Sequence, residues 1–170
     1  MRPALVIAAI LCLASPALGH EGLVHEGCDP GATVTAGDLT ISAAFSRAML
    51  PNAPAAGGYL TITNAASSDD TLIGATSVAA GMTELHQMAM QGDVMTMSAV
   101  ENGIVVPAGG SVTLEPGGLH LMFMNVRTPF KEGECVAVTL QFARAGAVEV
   151  VLAIGGIAAD APPEHAGHGG

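Results

Sequence analysis

Two of the six histidines and six of the nine methionines of this chain fall between Leu85 and Met124, recurring at every second residue. His86, Met88 and Met90 form one run, Met95 and Met97 a second, and His120, Met122 and Met124 a third. Alternate side chains of a β-strand line one face, so each run would show only imidazoles and thioethers to one side. Thioethers are neutral soft donors and imidazoles are borderline, a set that favours Cu(I). Structural zinc would ask for more Cys or His, and magnesium or calcium for clustered carboxylates. Methionine also fills gaps in ordinary cores, which suffices for Met82, Met90, Met95 or Met124 taken singly. It does not account for two histidines on the same faces, whose nitrogens must be satisfied once buried.

The elements that position these residues read as strands. If Gln91-Gly92 is the two-residue loop of a hairpin, His86 stands opposite Met97 and Met88 opposite Met95. Directly opposed side chains have Cβ atoms about 4.5 to 5.5 Å apart, close enough to share a metal ion. The other parity of the third run, Leu119, Leu121 and Phe123, is core. Further strands are expected at 39–45, 58–64, 70–75, 103–106, 111–114, 135–142 and 147–154, the last almost wholly apolar, as a central strand would be. Gly and Pro punctuate them at Pro107, Gly109-Gly110, Pro116-Gly117-Gly118 and Pro129. Short strands at intervals of about 8 to 12 residues, without a convincing amphipathic helix, predict an all-β antiparallel sandwich or small barrel.

The length of 170 residues fits one domain. Arg2, an apolar run over 4–14, Pro16 and the small residues near Gly19 read as a secretory signal over 1–19, which places the mature protein in the periplasm. That run is too short to span a bilayer, so no membrane insertion is expected. Cys12 invites a lipoprotein reading, but Leu11 before it fits poorly where a small residue is wanted. Residues 20–31 read as a polar arm, 32–157 as the β domain and 158–170, rich in Ala, Pro, Gly and His, as a flexible tail. After signal removal four basic residues face fifteen acids, 4 − 15 = −11, which makes nucleic acid and anionic membranes poor partners and cations good ones. Cys28 and Cys135 remain, most simply as one disulfide in an oxidising compartment; the alternative is two free thiols, one of them a copper ligand.

The spacing of His86, ten residues, Met97, twenty-two residues and His120-Leu121-Met122 resembles the signature of the PCu(A)C family of periplasmic copper chaperones. The stretches Gly57-Gly58-Tyr59-Leu60-Thr61-Ile62-Thr63-Asn64, Val105-Val106-Pro107-Ala108-Gly109-Gly110 and Pro116-Gly117-Gly118-Leu119 support the resemblance. It covers roughly residues 40–153; the second spacing is one residue longer than the family pattern, and the arm with His25 and Cys28 lies outside it. The resemblance implies a cupredoxin-like β-sandwich or Greek-key barrel that carries Cu(I) on His86, Met97, His120 and Met122. It also implies a metallochaperone rather than an enzyme. Its partner would be a copper-accepting oxidase subunit, in cytochrome c oxidase assembly, or another copper chaperone.

Several alternatives use the same residues or others. A periplasmic copper buffer serving resistance would have the same site and no dedicated acceptor. A blue-copper electron carrier would need a Cys beside two His. An inert sandwich would bind no metal. His165 and His168 on the tail could hold Cu(II), which gains more than Cu(I) from nitrogen donors, and His20, if it became the N-terminus, could ligate through amine and ring, as in some copper oxidases.

Overall fold

The computed structural model describes residues 25–26, 29 and 31–164. Among the described residues twelve strands follow one another: β1 His25–Glu26, β2 Val34–Ala36, β3 Leu39–Arg47, β4 Ala55–Asn64, β5 Asp70–Thr76, β6 Ala80–Gln91, β7 Val94–Ala99, β8 Ile104–Val106, β9 Ser111–Leu114, β10 Leu119–Val126, β11 Glu134–Phe142 and β12 Gly146–Gly155. Hydrogen bonding runs in the order β7-β6-β10-β4-β3-β12-β11-β5-β8, with β9 on β4, β2 on β3 and β1 on β11. Among the described residues all pairings are antiparallel except β12 with β3, where Ala153 lies beside Phe45 in a parallel arrangement. The apolar β12 is central, between β3 and β11. Its inward residues Val148, Val150, Leu152 and Ile154 join Ile41, Ile62, Leu72, Leu121, Phe123 and Leu140 in a single hydrophobic core.

Two strands change partners partway, which lets the sheet wrap around that core. The register of β3 shifts between Ser42 and Phe45, where Ala43 has φ 50°, and β3 passes from β2 to β12 across this irregularity. β4 pairs with β10 over 55–58 and with β9 over 60–63. At this switch stands Gly58, where a Cβ would lie 2.7 Å from Phe123 Cε2 and 2.9 Å from Leu152 Cδ2. The missing side chain thus lets β4 close onto the core beside β10.

The hairpin β6–β7 differs from the expected one. Gln91 pairs with Val94, Met90 with Met95, Met88 with Met97 and His86 with Ala99, so the loop is Gly92-Asp93. Gly92 has φ +63°, the left-handed conformation wanted at the first loop position, and a Gln91-Gly92 loop would have put glutamine there. The pairing of His86 opposite Met97 and Met88 opposite Met95 is therefore corrected. Because the displacement is two residues, every side chain keeps its face.

The signal over 1–19, His20, Cys28, His165 and His168 lie outside the described residues. At the start of the expected tail, Arg47 Nε donates to the Ala159 carbonyl at 2.6 Å. Cys135 is buried and disulfide-bonded. In the backbone register of β1 and β11 it is the partner of His25.

Asp70, at the start of β5, ties the β11–β12 turn to its neighbour. Its Oδ1 accepts from the backbone N–H of Thr71 at 2.7 Å and of Arg144 at 2.9 Å, and Oδ2 from Ala145 N–H at 3.0 Å. Burial pushes this carboxyl up, but the three N–H donors and the Arg144 charge outweigh it and hold the pKa below the ordinary carboxylate value. A depressed carboxylate contributes stability above its unfolded-state pKa and loses it as pH falls through the folded value. Replacing Asp70 with alanine removes the acceptor of three part-buried N–H groups and should cost about 1–3 kcal/mol in chemical denaturation at neutral pH. The deficit relative to wild type should shrink on acidification; a cost under about 0.5 kcal/mol would show that the clamp is idle.

Candidate metal centre

β10 divides its side chains as its alternation requires. Leu121 and Phe123 are fully buried in the core, while His120, Met122 and Met124 share the other face. β6 lies along one edge of β10 and places His86 directly opposite His120, Glu84 opposite Met122 and Met82 opposite Met124. On its other edge, β4 sets Gly57 opposite Met122. The two imidazole centroids are 5.9 Å apart, with ring planes inclined at 52°.

Hydrogen bonds fix which nitrogen of each ring can ligate. His120 Nδ1 lies 3.0 Å from the Gly118 carbonyl, which can only accept, so Nδ1 carries the proton and Nε2 keeps its lone pair. The same carbonyl accepts the Met88 N–H at 3.0 Å, locking the loop before β10 onto β6. His86 Nε2 lies 2.9 Å from Glu84 Oε2. Nε2–H donates to that carboxylate, leaving Nδ1 as the acceptor of the neutral ring. His86 Nδ1 is buried without a hydrogen-bond partner, one of two such side-chain atoms among the described residues. A buried lone pair left unused costs about 1–3 kcal/mol, and a metal ion would satisfy it. The donors therefore fit a metal: two oriented imidazoles, each with one free lone pair, beside thioethers.

Met122 is half-buried beside His120 on the same face. Met97 is 49 % exposed and sits opposite Met88, one row along from His86 and diagonal to it. Diagonal neighbours across a strand pair are roughly 7–8 Å apart, within reach of a long thioether. Met88 occupies the same row, is less exposed, and stands as near to His86 along its own strand.

Glu84 was not singled out by sequence reasoning, although it shares the parity of His86 and could have been found by extending that run by one step. Tyr59 was also missed as a site neighbour. Its hydroxyl lies 2.3 Å from where a Gly57 Cβ would be, so the glycine opposite Met122 makes room for the phenol. The ring packs against Phe45, tilted at 40° with centroids 5.0 Å apart, and lies beneath Arg47 at 5.7 Å; burial raises its pKa and the Arg47 charge partly offsets this. No group of three or more His, Cys, Asp or Glu gathers at a metal-holding spot among the described residues. Among the described residues Cys135 is not placed to serve as a blue-copper thiolate, since it is disulfide-bonded and three strands separate β11 from β10.

This all-β fold, with an imidazole pair and thioethers on one sheet face, defines a cupredoxin-like domain, and the chain belongs to the LpqE-like family. The family model, described as "Putative lipoprotein LpqE-like", matches residues 39–154. A curated relative, "Putative lipoprotein Lxx21020" of Leifsonia xyli subsp. xyli, is 36% identical over 81 residues; the match spans 48% of this chain and 49% of that protein, about half of its length. The copper-bound PCuAC domain from PmoF2 is similar in structure, with a TM-score of 0.62 and 25% identity, over 74% of this chain and 98% of that one. Apo-DR1885 of Deinococcus radiodurans has a TM-score of 0.56 at 24% identity over 92% of this chain and 97% of its own. Its Cu(I) form has a TM-score of 0.52 at 26% identity over 72% and 80%. The resemblance to PCu(A)C domains seen in the sequence thus holds, in that solved PCuAC domains share this fold.

Proposed function

We propose that this protein is a periplasmic copper metallochaperone that binds Cu(I) through His86, His120, Met97 and Met122 and delivers it toward the copper centres of cytochrome c oxidase. The observation that carries the reading is the pairing of His86 with His120, one ring using Nδ1–H and the other Nε2–H for a hydrogen bond, so that each keeps one lone pair free. The copper-bound PmoF2 domain and Cu(I)-DR1885, both of this fold, support copper as the cargo. Neutral ligands leave the charge of Cu(I) uncompensated, which suits an ion that is to be given away, and the acidic chain draws cations. No catalytic step is assigned to the site. His165 and His168 would supply a weaker Cu(II) site, lost on removal of residues 162–170 without change at the Cu(I) centre.

The signal over 1–19 carries the periplasmic assignment; the family is described as a putative lipoprotein, a lipid on Cys12 would be the corresponding alternative, and the mass of the mature N-terminus distinguishes them. The function is tested by mixing the Cu(I)-loaded full chain with the apo copper domain of an oxidase subunit. Transfer to the acceptor is expected. Retention of copper by the loaded chain would favour the buffer reading, and failure to load at all would overturn both.

A further inference from the structure

The hairpin carries more sulfur than the His86–His120 centre uses. Met88 pairs with Met97 and Met90 with Met95, and since faces are shared across a pair and every second residue along a strand, all four thioethers lie on the face of His86. Among the described residues the methionines left exposed, Met82, Met90, Met95 and Met97, are all on this hairpin, with Met90 at 58 % and Met95 at 50 %. Core filling does not explain side chains that fill no core. Opposed Cβ atoms are about 4.5–5.5 Å apart and successive rows about 7 Å, spans that flexible thioethers can close around one ion. Residues 80–101 contain Glu84, Asp93 and Glu101 and no Lys or Arg, so the surrounding charge attracts a cation.

We propose that Met88, Met90 and Met95 form a second, all-thioether Cu(I) site at the hairpin tip, through which the ion enters and leaves the His86–His120 centre. This inference rests on the copper reading above. The ladder runs from the exposed turn to the row next to His86, so copper can pass from sulfur to sulfur without being released. Ligand exchange of this kind keeps the ion in a soft donor set throughout, with no change of oxidation state.

The test titrates the full chain with Cu(I) against a chromophoric Cu(I) chelator, for wild type, Met90→Leu/Met95→Leu and His120→Ala. Leucine nearly conserves methionine's volume at these exposed positions, so the double variant should fold. Wild type should take two equivalents; the double variant should lose the weaker and keep the tighter at wild-type affinity, and His120→Ala should do the reverse. The double variant should also receive and pass on copper more slowly. A single equivalent in wild type, unchanged by the double substitution, would overturn the thioether site while leaving the histidine centre standing. Absence of any Cu(I) binding would overturn both. Slower transfer without loss of an equivalent would mark the hairpin as an acceptor-docking face, and that too would overturn the site.

Discussion

Replacing His120 with alanine should abolish tight Cu(I) binding, lowering affinity by more than about a hundredfold, while the chain remains folded. His120 is 5 % exposed, its Nδ1–H is committed to the Gly118 carbonyl, and its partner ring His86 lies directly opposite. Loss of a group that merely orients a ligand already costs 10–100-fold in metal affinity, so loss of the ligand should cost more. Met124→Leu makes the control, because Met124 shares the face but stands opposite Met82, two rows from His86. Competition titrations of both variants check this. Equal affinities for His120→Ala and Met124→Leu would remove His120 from the centre.

Phe123→Ala should produce the largest loss of stability, about 4 kcal/mol. Phe123 is fully buried, meets Phe130 edge-on at 5.5 Å and packs against the gap left by the missing side chain of Gly58. It lies on the core face of the strand that carries His120 and Met122 on the other, so the cavity loosens the backbone beneath both. Denaturant unfolding measures the effect. A loss below about 1 kcal/mol would mean that the site's scaffold is not anchored there.

Much of this arrangement was legible because β-strands report their faces locally. Alternation placed Leu121 and Phe123 in the core and His120 and Met122 opposite, and β9 at 111–114 falls where the sequence puts it. The hairpin register was misjudged because turn chemistry decides it, and the φ +63° of Gly92 outweighs the apparent symmetry of the methionines. Parity survived, since the displacement was even. The direct pairing of His86 with His120 was not legible, because adjacency of β6 and β10 depends on where β4, β9 and β10 meet. The parallel meeting of β12 and β3 was hidden for the same reason: local alternation carries no information about which distant strand lies alongside.

The central claim is that two imidazoles and two thioethers share one Cu(I). X-ray absorption of the full chain, loaded with less than one equivalent of Cu(I), tests it most directly. The predicted spectrum shows a Cu(I) edge and a mixed first shell of imidazole nitrogen and thioether sulfur, with the nitrogen contribution reduced in His120→Ala. A shell of sulfur alone, or of nitrogen and oxygen without sulfur, would contradict the assignment of His86, Met97, His120 and Met122.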